Sequence, residues 1–359
     1  MMQKIKVFIN GFGRIGRSIV RVALCEMQDC IEIVGVNDLA SPEILSYLLT
    51  HDSVHHSKRI TQDNDSFVFN GVKIPFSQCK NPSEIDILGA DVVIEASGLF
   101  LSQSDVESHL QKGAKRVIFS APAKDATKTF VFGVNHTQYQ GEKIISNASC
   151  TTNALAPVIM LLDEAFGVEK GILTTIHSYT NDQNLIDAAH RKGDFRRSRA
   201  AALNIIPTTT GAAKALHLVL PQMKDKLHGH SVRVPVADVS MVDLNVNLNQ
   251  SATKEAINAL FCEAAEGRLK GILGVDREYG VSQDFLDCPL SGVVALDLTF
   301  VLAENMAKIM IWYDNEWGYS HRILERQCIF VRNEIEKIIK TNNMCNFGKR
   351  CIIWRTGKY

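Results

Sequence analysis

The run Val7-Phe8-Ile9-Asn10-Gly11-Phe12-Gly13-Arg14-Ile15-Gly16-Arg17 decides the fold. A short β-branched and aromatic strand stops at a glycine turn, and apolar residues then recur at helical spacing from Arg14 to Leu24. In that setting Gly11, Gly13 and Gly16 form a GxGxxG turn whose glycines permit a tight bend and close backbone approach, so that a pyrophosphate can rest on the helix N-terminus. A second strand, Ile31 to Val36, ends at Asn37-Asp38. Asp38 stands 22 residues past Gly16 (38 − 16), where an acidic side chain can accept a hydrogen bond from an adenosine ribose 2′-hydroxyl. A glycine turn without a ligand is the plainer reading; strand, helix and acidic residue together argue against it.

Outward from this unit, Pro42 to Leu49 reads as a helix capped by Ser41. Phe67-Val68-Phe69 and Val72-Lys73-Ile74 flank Asn70-Gly71, a type I′ hairpin signal. Val92 to Ile94, Arg116 to Phe119, Phe130 to Phe132 and Ile144-Ile145 are further short apolar strands, with one helix near Ser104 to Gln111. The alternation predicts a Rossmann-type, doubly wound α/β domain over residues 1–149. After Cys150 the rhythm changes to longer strands (Gly171 to His177, Val239 to Asn247, Ala307 to Trp312) and a helix from Thr253 to Ala265, the pattern of an α+β domain over 150–315. Residues 316–339, helical in period from Tyr319, are expected to return to the first domain, leaving an atypical tail over 340–359.

Composition narrows the function. With 359 residues the chain is about two domains long. Basic and acidic residues balance at 39 each, so no overall field favours nucleic acid or an anionic membrane. Nine cysteines without a CxxC pair argue for a reducing compartment, with neither a disulfide framework nor a metal site. Cys25, Cys30, Cys262 and Cys328 sit in apolar runs and read as small core residues. No signal-peptide pattern opens the chain, and no apolar run reaches the roughly 18 residues of a membrane span. The expectation is a soluble, cytoplasmic protein.

One cysteine stands apart. Ser149-Cys150-Thr151-Thr152-Asn153 precedes a helical run from Ala154 to Phe166, and a thiol at a helix N-terminus feels the positive end of the dipole, which favours the nucleophilic thiolate. On spacing alone a buried structural cysteine remains the commoner reading.

The heptapeptide Asn147-Ala148-Ser149-Cys150-Thr151-Thr152-Asn153 resembles the active-site signature of the glyceraldehyde-3-phosphate dehydrogenases. The likeness continues through Asn10 to Arg17, His177-Ser178-Tyr179-Thr180, Pro207 to Lys214 and Trp312 to Tyr319, and covers the chain to about residue 335. The resemblance implies oxidation of a phosphorylated aldehyde through a thioester on Cys150, with His177 as the base and a thiolate–imidazolium pair as the resting form. It implies NAD, with Gly11, Gly13, Arg14, Ile15 and Gly16 at the pyrophosphate turn, Asp38 on the ribose, Lys80 and Ser120 on the adenosine and nicotinamide-ribose side, and Asn315 on the carboxamide. Thr180, Arg197 and Arg233 would hold the substrate phosphate, and Ser149, Thr151, Thr210 and Gly211 would line the site for inorganic phosphate. Relatives are homotetramers that act in glycolysis. Erythrose-4-phosphate dehydrogenase and a catalytically silent dinucleotide-binding protein are the rival readings; Ser178-Tyr179-Thr180 and Thr208 to Gly211 disfavour the first, and intact Cys150 and His177 the second.

Three departures from the family pattern stand out. Ala154 occupies the place of a second cysteine, which excludes an oxidative bridge to Cys150. Lys80 replaces the arginine of many relatives and lacks its planar fork. Ala188-Ala189 replaces a bulky Leu-Pro pair, leaving room for the 2′-phosphate of NADP, while the charge of Asp38 opposes that phosphate. NAD is the favoured cofactor and NADP stays open.

Overall fold

The computed structural model describes residues 4–55, 61–63, 66–69 and 71–325. Asn70 of the hairpin turn, Cys328, the helical segment beyond 325 and the tail 340–359 lie outside them.

The opening strand β1 (Ile5–Asn10) feeds α1 (Arg14–Glu26), and β2 (Ile31–Asn37) feeds α2 (Pro42–Thr50), whose Ser41 caps the Ile44 N–H. Then come β3 (Thr61–Asp63), β4 (Ser66–Phe69), β5 (Val72–Ser77), β6 (Val92–Glu95), α3 (Gln103–Gln111), β7 (Arg116–Phe119) and β8 (Ile144–Ser146). The strands lie side by side in the order β3-β4-β5-β2-β1-β6-β7-β8. From β5 to β8 every neighbour is parallel, while β3, β4 and β5 make an antiparallel appendage. The order reverses between β1 and the β2 and β6 flanking it, so the crevice for a dinucleotide opens over the carboxyl ends of these strands.

Each face of this sheet has its own core. Val7, Ile9 and Ile94 pack with Ile19, Val20 and Val22 of α1 on one side; Phe8, Val93 and Phe119 pack with Val106 of α3 on the other. Fully burying one such side chain contributes about 1.5–3 kcal/mol. Trp317, Tyr319, Ile323 and Leu324 join the α1 core, so residues 317–325, which are helical, return to the first sheet.

The remainder comprises α4 (Cys150–Phe166), β9 (Val168–Ser178), β10 (Ile206–Thr209), the short α5 (Ala212–Ala215), β11 (Leu227–Val234), β12 (Ser240–Leu248), α6 (Lys254–Glu266), β13 (Leu273–Asp276), β14 (Gly292–Ala295), β15 (Phe300–Leu302) and β16 (Met306–Tyr313). Its mixed sheet runs β10-β11-β9-β12-β16-β14-β13, with β15 paired to β16. Strand β12 alternates strictly between buried and half-buried positions, as a sheet with one covered face requires. Helices α4 and α6 cover that face: Leu155, Ile159, Leu162, Ile257 and Phe261 pack with Leu244 and Ile309.

Three readings of the sequence need correction. Phe130 to Phe132 is not a strand, since only Thr129 bridges to Ser146 before a turn in which the Asn135 side chain takes the Val131 N–H at 2.7 Å. Helix α4 begins at Cys150 and not at Ala154, because Ser149 is its N-cap and accepts from Thr152 N. Cys25 is exposed, and Cys30 and Cys262 are half-buried, so helical and strand period placed them at the rim of the core and not within it.

Candidate active site

Cys150 is the first residue of α4 and packs against the cores of both sheets. The chain enters through Ala148, a non-glycine residue at φ 57° whose carbonyl accepts from Tyr319 Oη at 2.8 Å and whose N–H donates to Ser146 Oγ at 3.1 Å. A left-handed alanine costs on the order of 1–3 kcal/mol and persists because these bonds hold it. His177, near the end of β9, places Nε2 3.7 Å from Cys150 Sγ.

On the far side of the ring, Arg233 Nη1 lies 2.7 Å from His177 Nδ1 and 3.0 Å from Ser178 O. Nδ1 also lies 2.8 Å from Ser178 O, so each tautomer finds a partner: with the proton on Nε2 the ring accepts from Arg233 and turns N–H to the sulfur, and with the proton on Nδ1 it donates to Ser178 O. Burial and then Arg233 push the imidazole down to about 3, while burial pushes the Cys150 thiol up against the opposing pull of Arg233 and the Thr151 N–H and hydroxyl. Both directions run against the thiolate–imidazolium pair that the resemblance implies.

The cofactor cradle follows the glycines. An added Cβ at Gly11 would stand 2.3 Å from Ser97 N and at Gly16 2.1 Å from Gly11 O, so both are required by the protein's own packing. At Gly13, the N-cap of α1, nothing lies within 4 Å, and the helix N-terminus is bare toward the crevice. A bare N-cap beside an acidic strand end fits a dinucleotide. Asp38 sits at the end of β2 with Oδ2 accepting from Phe12 N at 2.7 Å and Oδ1 from Ala40 N at 3.0 Å, which leaves further lone pairs for a ribose hydroxyl. Ser120 extends β7 at the same edge, its N–H donating to Glu95 O at 2.9 Å, and Lys80 is exposed on the loop after β5. Asn315, 5% exposed, accepts from Ser178 Oγ at 2.9 Å and Ser240 Oγ at 2.6 Å through Oδ1, so its NH₂ remains the donor.

Arg14 departs from expectation in its side chain. Only its backbone belongs to the turn; the guanidinium turns to Glu316 and to Asp52, the latter at 2.8 Å. Arg197 is likewise committed, with Nε 3.1 Å from Asp182 and Nη1 2.9 Å from Asp194, and Thr180 Oγ1 donates to the same Asp182. Thr180 and Arg197 are thus brought together through Asp182, whereas Arg233 lies with the Cys150–His177 pair. Ser149 serves as the cap of α4, and Thr151 Oγ1 bonds Tyr313 Oη at 3.0 Å. Thr210 and Gly211 follow β10, with Thr210 Oγ1 accepting from Ala212 N at 3.2 Å; among the described residues neither bonds Cys150.

Sequence reasoning missed a buried ionic cluster beside this site. His55, wholly buried, bonds Asp287 at 2.5 Å and Glu316 at 3.0 Å and lies 3.4 Å from Asp238. Burial lowers its pKa, yet these carboxylates outweigh it and hold the imidazolium up to about 10. Despite their own burial, the cations keep Asp52 and Glu316 below the usual carboxylate range. No local signal marks these partners, since Arg14 and Glu316 are 302 positions apart.

A doubly wound sheet with a bare glycine N-cap, joined through a half-buried thiol and a buried imidazole to a mixed-sheet domain, defines the class: a nicotinamide-dependent oxidoreductase. Residues 5–103 match the model of the glyceraldehyde 3-phosphate dehydrogenase NAD binding domain, and residues 149–315 that of the C-terminal domain. The chain is 53% identical to a glyceraldehyde-3-phosphate dehydrogenase of Helicobacter pylori over 331 residues, 89% of this chain and 97% of that protein. It is 48% identical to glyceraldehyde-3-phosphate dehydrogenase 1 of Bacillus cereus (89% and 96% covered) and 47% identical to the Bacteroides fragilis enzyme (89% and 97%). The chain belongs to the glyceraldehyde-3-phosphate dehydrogenase family, and NAD is its cofactor.

Proposed function

We propose that this protein converts D-glyceraldehyde 3-phosphate and inorganic phosphate to 1,3-bisphosphoglycerate through a thioester on Cys150. The placement of Cys150 Sγ 3.7 Å from His177 Nε2, at the first residue of α4 and against both cores, carries this reading. The Cys150 sulfur attacks the aldehyde carbon: a C–S bond forms as the carbonyl π bond breaks, and the carbonyl oxygen takes the proton that the thiol gives up. Bound nicotinamide supplies a hydride acceptor. His177 removes the hydroxyl proton as the hydride departs, leaving the thioester; a phosphate oxygen then attacks the acyl carbon, the C–S bond breaks and sulfur leaves as thiolate.

His177 acts as a base only with Nε2 free, which puts the ring proton on Nδ1, 2.8 Å from Ser178 O. Arg233 must then leave Nδ1, and an anionic phosphate gives it a stronger partner. Thr180, Arg197 and Arg233 are assigned to the substrate phosphate, which competes with Asp182 and Asp194 for the Arg197 guanidinium. Ser149, Thr151, Thr210 and Gly211 are assigned to inorganic phosphate, and Gly11, Gly13, Arg14, Ile15, Gly16, Asp38, Lys80, Ser120 and Asn315 to the dinucleotide.

Residues 1–149 are read as the dinucleotide domain and 150–315 as the catalytic domain, with the described helical residues 317–325 returning to the first. Ala188 and Ala189 lie exposed on the loop between β9 and β10, and NAD is preferred to NADP because Asp38 carries charge at the ribose. That loop exposes Leu185, Ile186, Phe195 and Leu203, Phe195 to 91%, which supports burial against further copies in a homotetramer. No helix of the described residues is long and apolar enough to cross a membrane, which accords with a cytoplasmic enzyme of glycolysis. The test is the appearance of reduced nicotinamide with each aldehyde: phosphate-dependent turnover of glyceraldehyde 3-phosphate is expected. Preference for erythrose 4-phosphate, or no turnover, would overturn the reading.

A further inference from the structure

The carboxyl ends of β6, β1, β2 and β5 are laced together by side chains that contact no ligand in the scheme above. Glu95, the last residue of β6, is fully buried. Its Oε2 accepts from Asn10 Nδ2 at 2.6 Å, and its Oε1 accepts from Ser97 N at 2.9 Å and from Ser97 Oγ. Asn10 is oriented by Asn37, whose Nδ2 donates to Asn10 Oδ1 at 2.9 Å; Asn37 Oδ1 in turn accepts from Ser77 Oγ and Cys79 N, each at 2.8 Å. Every donor in this row is directed by its neighbour, and all three at Glu95 point at its oxygens. That arrangement suits a carboxylate, and of the three donors only the Ser97 hydroxyl can turn to accept, which gives a carboxylic O–H one place to go.

Among the described residues no cation pairs with Glu95. The charged group whose field reaches it is Asp105 on α3, which repels it; β1 and β7 present Asn10 and Phe119 at its level. Gly11 follows Asn10 directly and packs on Ser97, so the row also supports the pyrophosphate turn. An anion bound on that turn adds negative charge close to a buried carboxylate that has no counter-ion.

We propose that Glu95 is a positioning residue for the dinucleotide and takes up a proton when the pyrophosphate binds. Burial already lifts Glu95 to about 7, so a modest further push protonates it near neutrality. The sign follows: the bound state holds the proton to higher pH than the free state, so NAD affinity is flat below the free value and declines as pH rises through the window above it. This inference rests on NAD being the ligand of the turn.

The test is calorimetric titration of NAD into the full-length protein from pH 6 to pH 9, in pairs of buffers with different ionisation enthalpies. Wild type should take up a fraction of a proton per NAD around neutral pH, and its Kd should weaken about three- to tenfold across the range. Glu95→Gln should bind NAD with no such uptake. Because its amide must face a donor and the variant can misfold, Ser97→Ala provides a second readout: losing one donor should move the uptake window to higher pH. Binding without uptake in wild type, or equal uptake in Glu95→Gln, overturns the proposal; failure of wild type to bind NAD overturns the cofactor assignment instead.

Discussion

Gly13→Ala separates folding from cofactor binding. The backbone there, φ −67° and ψ −161°, suits alanine, and the new methyl meets no protein atom within 4 Å. Removing a glycine stabilises by about 0.4–1 kcal/mol through the unfolded chain, whereas alanine is a poorer N-cap than glycine by a comparable amount, so the two effects nearly cancel. The melting temperature should therefore stay within about 2 °C of wild type, given roughly 2–4 °C per kcal/mol for domains of this size. The methyl does stand on the face the pyrophosphate must approach. Weakening one or two charge-assisted N–H bonds costs about 2–4 kcal/mol, which is roughly 30- to 1,000-fold in Kd. Calorimetric titration with NAD, beside a thermal melt, measures both. Gly16→Ala is the control that should lose stability, since its Cβ would stand 2.1 Å from Gly11 O. An unchanged Kd in Gly13→Ala would refute the placement of the pyrophosphate over this N-cap.

Cys150→Ser should abolish oxidation and retain NAD binding, because a neutral alcohol is a far weaker nucleophile than a thiolate; turnover measured beside NAD titration checks it. His177→Asn should slow turnover by about 10²–10⁴-fold and slow iodoacetamide labelling of Cys150, which mass spectrometry follows. Asp38→Ala should narrow the preference of kcat/KM for NAD over NADP, since a carboxylate facing a 2′-phosphate costs on the order of 1–4 kcal/mol at an effective surface dielectric; a wild-type preference for NADP would refute this. His55, held up to about 10 from an ordinary 6.5, contributes stability that is fully present below about pH 6.5 and is lost as pH rises toward 10. Urea unfolding across that range should show the loss, and His55→Gln should flatten it.

What the sequence made legible was local. The strand, glycine turn and helix at Val7 to Leu24 could be read because each step obeys a short-range rule, and the placement of Cys150 at a helix N-terminus could be read because the cap and the helical run lie within a few residues of it. Phe130 to Phe132 misled because its apolar alternation matches a strand, while Asn135, four residues on, diverts the Val131 N–H into a turn. Cys25 misled because period alone does not separate the centre of a buried helix face from its edge. The electrostatics of the site lay further out of reach: Arg233 and His177 meet because β11 pairs with β9 in register, a contact across 56 positions that, after burial, lowers the pKa of the imidazole.

The same distance rule explains why the ionic cluster escaped notice and what it does to the site. Arg14 and His55 belong to the first sheet's connections, Asp238 and Asp287 to those of the second, and Glu316 lies between them, bonded to both Arg14 and His55. Five carboxylates (Asp52, Asp238, Asp287, Asp314 and Glu316) face Arg14, Arg17, Arg21 and the His55 imidazolium, so the cluster carries more acid than base. Burial and the neighbouring acids Asp314 and Glu316 accordingly push the Asp238 carboxyl above the usual carboxylate range, against the pull of His55. Asn315 stands between two members of this cluster, Asp314 and Glu316, while its own oxygen is fixed by Ser178 and Ser240. The proposed nicotinamide anchor is thereby set by both domains at once, and Arg14, whose backbone opens the pyrophosphate turn, sends its side chain to the carboxylate next to that anchor. One buried charge network thus joins the glycine turn to the proposed nicotinamide anchor.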